Sequence, residues 1–460
     1  MLGLKTVVGV CGAGAMGAGI AQVAAQARHR VIVLDQDEAA LARGRENVTR
    51  SLSGQIKRGK LTEEGAAAIQ QRLSWTTDVA DMAPCGLVIE AIVENAAIKQ
   101  RLFQSLEAVI AADAVLATNT SSLSITNLAE GLSRPNQFVG LHFFNPAPVM
   151  NLVEVVAGAK TGRDAEVGAF ALVGWWGKLP VYVSDVPGFI VNRVARPFYA
   201  EGWRALEEGA ADAATIDFLY RDLAGFRMGP LELGDVIGHD INYTAAKSIF
   251  DAYNGKTRFR PSPLQAQYVA RNALGKKGGR GVYDYAPDAL KQAVRHAETS
   301  EPLGDDGTIF MQSDGRSAKK VAESLDKPVV VYDFATSAAT SFAFAASSDT
   351  ARRAAIGCAA RLGKKAVEIA DRPGLIVFRT LLQIANAAAD AVTDKVALPE
   401  AIDLALQNGV NYPFGVLRWA GETGHAQVAA ALNAIADETG EAMYRPSAYF
   451  AEERGRDVVS

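Results

Sequence analysis

Thr6-Val-Val-Gly-Val-Cys-Gly12-Ala-Gly14-Ala-Met-Gly17 is the stretch on which the fold turns. Thr6–Val10 reads as a short buried strand and Ala18–Ala27 as an Ala-rich helix, with three glycines at the join. In such a strand–turn–helix unit Gly12 permits the tight turn, Gly14 lets a pyrophosphate reach the backbone, and Gly17 lets helix and strand pack closely. The helix N-terminus, with Ala15 and Met16 in its first turn, then faces the phosphates of a dinucleotide. The second strand, Val31–Leu34, runs into Asp35, 18 residues past Gly17, where a carboxylate accepts hydrogen bonds from both ribose hydroxyls. Gln36-Asp37 follows with no Arg or Lys beside it, so a 2′-phosphate is repelled and NAD is expected over NADP; FAD, which uses the same fingerprint, is the rival.

Outward from this unit, the first 185 residues alternate short apolar runs with longer helical stretches. Further strands are expected at Leu87–Glu90, Ala114–Ala117, Phe138–Leu141, Leu152–Val156 and Val181–Val183, giving an α/β Rossmann-like doubly wound parallel sheet. From Pro187 to about Leu274 helical spacing takes over, as in Ala195–Glu208 and Ala213–Leu223. Pro287–Leu325 is polar and mixed and reads as a linker or poorly packed insert, before a new strand at Pro328–Tyr332.

The last third repeats what precedes it. DVPGFIVNR at Asp185–Arg193 is answered by DRPGLIVFR at Asp371–Arg379, an offset of 186 residues. Gly177-Lys178 pairs in the same way with Gly363-Lys364, Ile216-Asp217 with Ile402-Asp403, and Gly238-His239 with Gly424-His425. The expected organisation is a nucleotide-binding domain over 1–185, a helical domain over 186–285, a linker plus truncated Rossmann-like remnant over 286–370, and a second, degenerate helical domain over 371–460.

Composition narrows the function. A chain of 460 residues exceeds one core, and 47 Lys and Arg against 51 Asp and Glu leave no basic nucleic-acid face. Three cysteines, Cys11, Cys85 and Cys358, are too few for a disulfide framework or a Cys-rich metal site, and no metal is expected. No run is apolar enough to span a membrane and no signal peptide is legible, so a cytoplasmic location is expected.

Oxidising an alcohol needs a base near neutral pKa, and histidine has one unperturbed. Of five histidines, His142 closes the strand in Gly140-Leu-His-Phe-Phe-Asn-Pro146, and ligands of doubly wound sheets sit at strand carboxyl ends. By itself that position also suits a buried structural histidine.

Thr118-Asn-Thr-Ser-Ser122, GLHFFNP, Leu152-Val-Glu154-Val-Val and Pro187-Gly-Phe-Ile-Val-Asn192-Arg, in this order, strongly resemble the L-3-hydroxyacyl-CoA dehydrogenases, over residues 1 to about 285. The duplicated tail is similar to the long bacterial form, which includes 3-hydroxybutyryl-CoA and 3-hydroxyadipyl-CoA dehydrogenases, the latter associated with phenylacetate breakdown. The resemblance implies NAD-dependent oxidation of a (3S)-3-hydroxyacyl-CoA, with His142 as base and Glu154 orienting it. It implies that Ser121 and Asn192 hydrogen-bond the substrate's C3 oxygen and thioester region. It also places Glu94, Lys99, Asn145 and Lys277 near NAD and Ser51 and Lys57 at the CoA phosphates. In the repeat, Asn192 corresponds to Phe378, so no second active site is expected there; His239 and His425 occupy matching places, which favours structural roles.

The rivals are a dehydrogenase of a free hydroxy acid and a non-catalytic NAD-binding relative; a hydratase fusion fails on length. The expected partner is an acyl-CoA substrate, and a homo-oligomer and a pseudo-dimeric monomer are the alternative assemblies. A dicarboxylyl tail needs a cation, for which Arg193, Arg196, Arg204 and Arg227 are the candidates.

Overall fold

The computed structural model describes residues 2–290, 292–297 and 307–451. The chain forms two compact units. One runs to Val191 and takes in Lys395–Val410; the other holds Asn192–Asp394 and the chain from Asn411 onward.

The first unit is built on eight strands: β1 (Val8–Cys11), β2 (Val31–Leu34), β3 (Leu73–Thr76), β4 (Leu87–Glu90), β5 (Val115–Thr118), β6 (Phe138–Phe143), β7 (Leu152–Ala157) and β8 (Leu179–Ser184). Their order is β3-β2-β1-β4-β5-β6-β7-β8. Strands β1, β2, β4, β5 and β6 are buried throughout, because helices such as Ala15–Gln26, Ala96–Val109 and Arg163–Trp175 cover the sheet. Each buried Val, Ile or Leu there contributes about 1.5–3 kcal/mol.

Two sequence expectations need correction. Strand β3 was not anticipated: Leu-Ser-Trp-Thr is a partly exposed edge strand paired to β2, so it lacks the apolar run of its neighbours. The sheet is also not wholly parallel, since β6 and β7 run antiparallel. The connection between them, residues 144–151, is shorter than the dozen or so residues that a parallel crossover requires.

In the second unit, helices Arg196–Glu207, Ala213–Ala224, Pro230–Ile237, His239–Ala252 and Pro263–Ala270 form the first helical copy. A four-stranded sheet follows: β9 (Ile309–Gln312), β10 (Val329–Tyr332), β11 (Ser341–Ala346) and β12 (Lys365–Glu368), in the order β12-β11-β10-β9. Its senses, β9 parallel to β10, β10 antiparallel to β11 and β11 parallel to β12, repeat those of β5 to β8. The stretch read as a poorly packed insert therefore contributes β9 and the helix Ala318–Leu325, whose Ala318 and Val321 are fully buried. Its polar residues lie on the exposed face of that amphipathic helix and around the short, half-exposed strand Ile-Phe-Met-Gln. Residues 291 and 298–306 of the expected linker, and 452–460 of the second helical copy, lie outside the described residues.

The backbone repeats with the sequence. Left-handed residues recur at the 186-residue offset: Gly188 and Phe189 with Gly374 and Leu375, Gly209 with Lys395, Gly225 with Asn411, and Gly238 with Gly424. Contacts between the copies are reciprocal, as in a two-fold interface where residue i meets j and j meets i. Within the second unit Arg193 pairs with Asp394, and Arg379, its counterpart, lies 3.1 Å from Glu208, the counterpart of Asp394. Ser184 donates its N–H to Val396 O at 2.9 Å in the first unit; Ala370 donates to Ala210 O at 2.9 Å in the second. Equally, the helix Pro399–Gly409 packs on β7 and β8 in the first unit, and Ala213–Ala224 packs on β11 in the second. No helix among the described residues is long and apolar enough to cross a membrane.

Glu201 of the first helical copy is 1% exposed and lies 3.1 Å from Arg379 Nε and 2.9 Å from Arg204. Burial alone would raise its carboxyl pKa; the charges of Arg379, Arg204 and Arg372 and the Tyr444 hydroxyl outweigh that and hold it low. Removing one partner from a buried ion pair leaves the other uncompensated. Arg379→Met is therefore expected to destabilise the second unit by about 3–5 kcal/mol, read as a lower urea midpoint. Arg50→Met, which breaks an exposed pair with Glu46, should leave the midpoint unchanged.

Candidate active site

The sheet reverses its winding between β1 and β4, and the glycine turn sits there at the carboxyl end of β1. Gly12 has φ +103°, and a Cβ on it would lie 2.6 Å from Ala91 O. A Cβ on Gly17 would lie 1.8 Å from Gly12 O, so only glycine lets the helix start this close to the turn. A Cβ on Gly14 would meet nothing within 4 Å; Gly14 and Ala15 are exposed at the helix N-terminus, with Met16 partly buried behind them. Asp35 Oδ2 accepts the Ala13 N–H at 2.8 Å, tying the turn to the end of β2. These residues fit a dinucleotide: open backbone donors at a helix start, and a carboxylate one strand away.

Beside it, Glu94 gathers the Thr118–Ser122 segment. Its Oε1 accepts from Thr120 Oγ1 at 2.6 Å, the Ser121 N–H at 3.1 Å and Ser122 Oγ at 2.9 Å. Burial would raise the Glu94 pKa, but the Thr120 hydrogen bond, the Lys99 charge and Ser122 outweigh it and keep the carboxyl low and ionised. Lys99 is itself buried, 2.6 Å from Glu90 and 3.1 Å from Glu94, so its ammonium is committed to these two carboxylates.

The antiparallel register of β6 and β7 sets His142 directly opposite Glu154. His142 Nδ1 lies 2.6 Å from Glu154 Oε2, with His142 6% and Glu154 0% exposed. The other oxygen, Oε1, accepts the N–H groups of Ile190 at 2.9 Å and Val191 at 3.0 Å, at the start of the short helix Val191–Val194. Gly188 and Phe189, at φ +79° and +49°, turn the chain so that those donors point at the carboxylate. Phe144 and Phe189 lie 4.5 and 5.8 Å from the imidazole, centroid to centroid. A carboxylate fixed on Nδ1 sets that nitrogen as the donor and leaves Nε2 as the free acceptor.

Ser121 is exposed, its backbone held by Glu94; Asn145 is exposed and opens a cis peptide to Pro146. Ser51 and Lys57 lie on the helix Glu38–Lys57, which ends in the exposed Lys57 and Arg58. Asn192 and Lys277 belong to the second unit, where Lys277 pairs with Asp240 at 2.6 Å. Sequence reading missed three supports. Asn119 Oδ1 accepts the Phe143 N–H at 2.8 Å, and Asp185 caps the helix Ile125–Leu128 through the N–H groups of Ile125 and Thr126. Lys178, 8% exposed and pushed down to about 8 by burial, donates to Ala147 O and Met150 O in the loop after His142. Asp185 and Lys178 had a visible signal, since both recur at offset 186 as Asp371 and Lys364. His239 is fully buried, 2.5 Å from Asp235 and ringed by Trp203 and Tyr268, as its structural reading expects.

Comparison with known proteins identifies the family. Residues 7–186 match the model of the 3-hydroxyacyl-CoA dehydrogenase NAD binding domain. Residues 188–285 and again 374–453 match the C-terminal domain of the same family, and 310–373 match the reduced Rossmann-fold domain of 3-hydroxybutyryl-CoA dehydrogenase. The chain is 42% identical to the 3-hydroxyadipyl-CoA dehydrogenase of Escherichia coli K12, over 97% of this chain and 96% of that one. It is also 42% identical to the mitochondrial hydroxyacyl-coenzyme A dehydrogenase of Rattus norvegicus, covering 60% of this chain and 90% of the relative. Among solved structures, a 3-hydroxybutyryl-CoA dehydrogenase from Escherichia coli K12 superposes with a TM-score of 0.93 at 40% identity, over 97% of this chain and 98% of that one. The chain belongs to the 3-hydroxyacyl-CoA dehydrogenase family.

Proposed function

We propose that the chain oxidises a (3S)-3-hydroxyacyl-CoA to the 3-ketoacyl-CoA with reduction of NAD, and that the buried His142–Glu154 pair supplies the base. The 2.6 Å contact between them carries this reading. His142 Nε2 takes the proton of the C3 hydroxyl while the C3 hydrogen leaves with its electron pair, and the C–O bond becomes a carbonyl. Bound NAD supplies the hydride acceptor. Glu154 stabilises the imidazolium as it forms, and Ser121 and Asn192 serve as hydrogen-bond partners of the substrate oxygens. Gly12, Gly14, Ala15, Met16, Gly17 and Asp35 are assigned to the cofactor. Glu94 and Asn145 join them, Lys99 acting through Glu94, and Lys277 is assigned to the same role from the second unit. Ser51 and Lys57 are assigned to the CoA phosphates, with Arg58 extending their charge. The free cysteines Cys11, Cys85 and Cys358 suit a cytoplasmic enzyme.

We assign 1–185 to nucleotide binding, 186–285 to the first helical domain, 286–370 to a linker and truncated Rossmann-like remnant, and 371–460 to the degenerate helical copy. The reciprocal contacts within each unit support a pseudo-dimeric monomer, with the second copy in the place of a partner subunit.

One observation favours a dicarboxylyl acyl group such as 3-hydroxyadipyl over 3-hydroxybutyryl. Of the four arginines, Arg193 pairs with Asp394, Arg204 with Glu201, and Arg227 is exposed. Arg196, four residues past Asn192, has its Nε and Nη1 buried without a hydrogen-bond partner among the described residues. It lies 5.1 Å from the Tyr199 ring, and burial lowers its guanidinium pKa. An unpaired buried cation is costly, and a terminal carboxylate is the group that would offset it.

Three measurements test these assignments. Gly17→Ala should weaken NADH binding at least tenfold in a fluorescence titration, because the new methyl would overlap Gly12 O. His142→Ala should lower turnover of acetoacetyl-CoA with NADH by about a thousandfold or more while NADH still binds; undiminished turnover would remove His142 from the mechanism. Arg196→Met should lower kcat/KM for 3-hydroxyadipyl-CoA about 10- to 100-fold and leave 3-hydroxybutyryl-CoA unchanged; equal losses on both would sink the tail assignment.

A further inference from the structure

The small sheet permits the first site to be traced residue by residue into the second copy. Ser124 caps the helix Ile125–Leu128 and Asp185 receives its first N–H groups; Ser317 caps Ala318–Leu325 and Asp371 receives its first N–H groups. Both stretches from the strand to the cap, Thr118–Ser124 and Met311–Ser317, contain seven residues, so Ser121 falls on Asp314. Thr118 pairs with Gly140 and Met311 with Val331, so β6 maps onto β10 and His142 falls on Asp333. Gly140 pairs with Val156 and Val331 with Ala345, so Glu154 falls on Ala343. Asn192 falls on Phe378 at the 186-residue offset.

No residue proposed for proton transfer survives this mapping, yet the helix-capping interaction does. Asp333 accepts the N–H groups of Ile376, Val377 and Phe378, in place of the two that Glu154 accepts from Ile190 and Val191. The position therefore keeps its architecture without its base.

It also holds a cavity of about 650 Å³, within the usual range for small-molecule sites. Phe334, Phe378 and Trp419 line it, with the Trp419 ring 6.0 Å from Phe334 and 6.2 Å from Phe378 and nearly perpendicular to both. Ala430, Ala431 and Ala434 supply a shallow face on the helix His425–Thr439. The lining charges balance, because Arg316 Nη2 and Nε hold Asp314 Oδ2 at 2.5 and 2.9 Å. Gln312 and Gln427 add neutral amides. An apolar chamber whose polar groups carry no net charge selects a ligand with an apolar end and a neutral, amide-bearing arm. A free carboxylate would meet no uncompensated cation there.

We propose that this cavity is a second, non-catalytic binding site for the acyl end and pantetheine arm of an acyl thioester, the class of ligand the first site turns over. The aromatic rings and alanine face take the acyl group, and the glutamine amides meet the arm. Phe378 makes this a binding site in two ways: it removes the amide that Asn192 offers, and it adds apolar wall.

The inference rests on the acyl-CoA reading of the first site, which NADH-dependent turnover of acetoacetyl-CoA by the parent protein tests separately. Equilibrium dialysis of the full chain against labelled acetoacetyl-CoA, without NAD or NADH, counts the sites. Two molecules per chain are expected in the parent. Ala430→Trp and Ala434→Phe, which fill the cavity from its alanine face, should each reduce the count to one while kcat for acetoacetyl-CoA reduction stays within twofold. One molecule per chain in the parent with ligand in large excess would overturn the proposal. So would a count of two that both variants leave intact, since the second molecule would then bind elsewhere.

Discussion

A single buried carboxylate organises the first unit. Glu154 is fully excluded from solvent, and its hydrogen bonds run to His142 on the neighbouring strand and to two backbone N–H groups at a helix start. A buried carboxylate without such partners would be expelled or neutralised. Here the fold and the proposed chemistry make the same demand on it. The N–H groups at the helix start hold one carboxylate oxygen, and the other fixes the Nδ1 side of the His142 ring. The left-handed pair Gly188-Phe189, the antiparallel turn between β6 and β7, and the Lys178 anchor beneath that turn all hold the same few atoms in place.

The second copy shows which part of this arrangement is structural. Where the His–Glu pair is replaced by Asp333 and Ala343, the helix start still receives a carboxylate, now from Asp333 one strand over. Asp371 still caps its helix as Asp185 does. Capping recurs because unpaired N–H groups at a buried helix end are costly whatever the site does. The His–Glu pair does not recur, which separates it from the scaffold. The reciprocal pairs Arg193–Asp394 and Arg379–Glu208 belong to the scaffold on the same logic.

Much of this was legible beforehand, for physical reasons. The glycine turn and Asp35 carry strong local signals, whereas His142 stood out only as a strand-end histidine and Glu154 only through the resemblance carried by four separated motifs. The repeat was legible because Gly188 and Gly374 must keep the same left-handed turn. What escaped was tertiary. The edge strand β3 lacks an apolar run, and β9, a three-residue apolar run Ile-Phe-Met inside a polar stretch, is half exposed, so the pairing of each depends on neighbours distant in sequence. The supporting role of Asn119 depends on the register between β5 and β6, and the burial of Lys99 on two carboxylates from separate segments. That Arg196 Nε and Nη1 have no hydrogen-bond partner among the described residues could not be read from a list of four arginines; it required knowing which of the others had found partners.

The helix Pro399–Gly409 has a consequence in time. A Cβ at Gly409 would lie 2.6 Å from Leu152 and 3.1 Å from Val191, so this late segment is fitted closely against the nucleotide-binding unit. On the ribosome, everything else in that unit has emerged some two hundred residues before Lys395 appears. Its apolar face around β7 and β8 must therefore wait, uncovered, through the synthesis of the intervening helices and small sheet. The length of the intervening segment thereby sets a fixed delay before that face is covered.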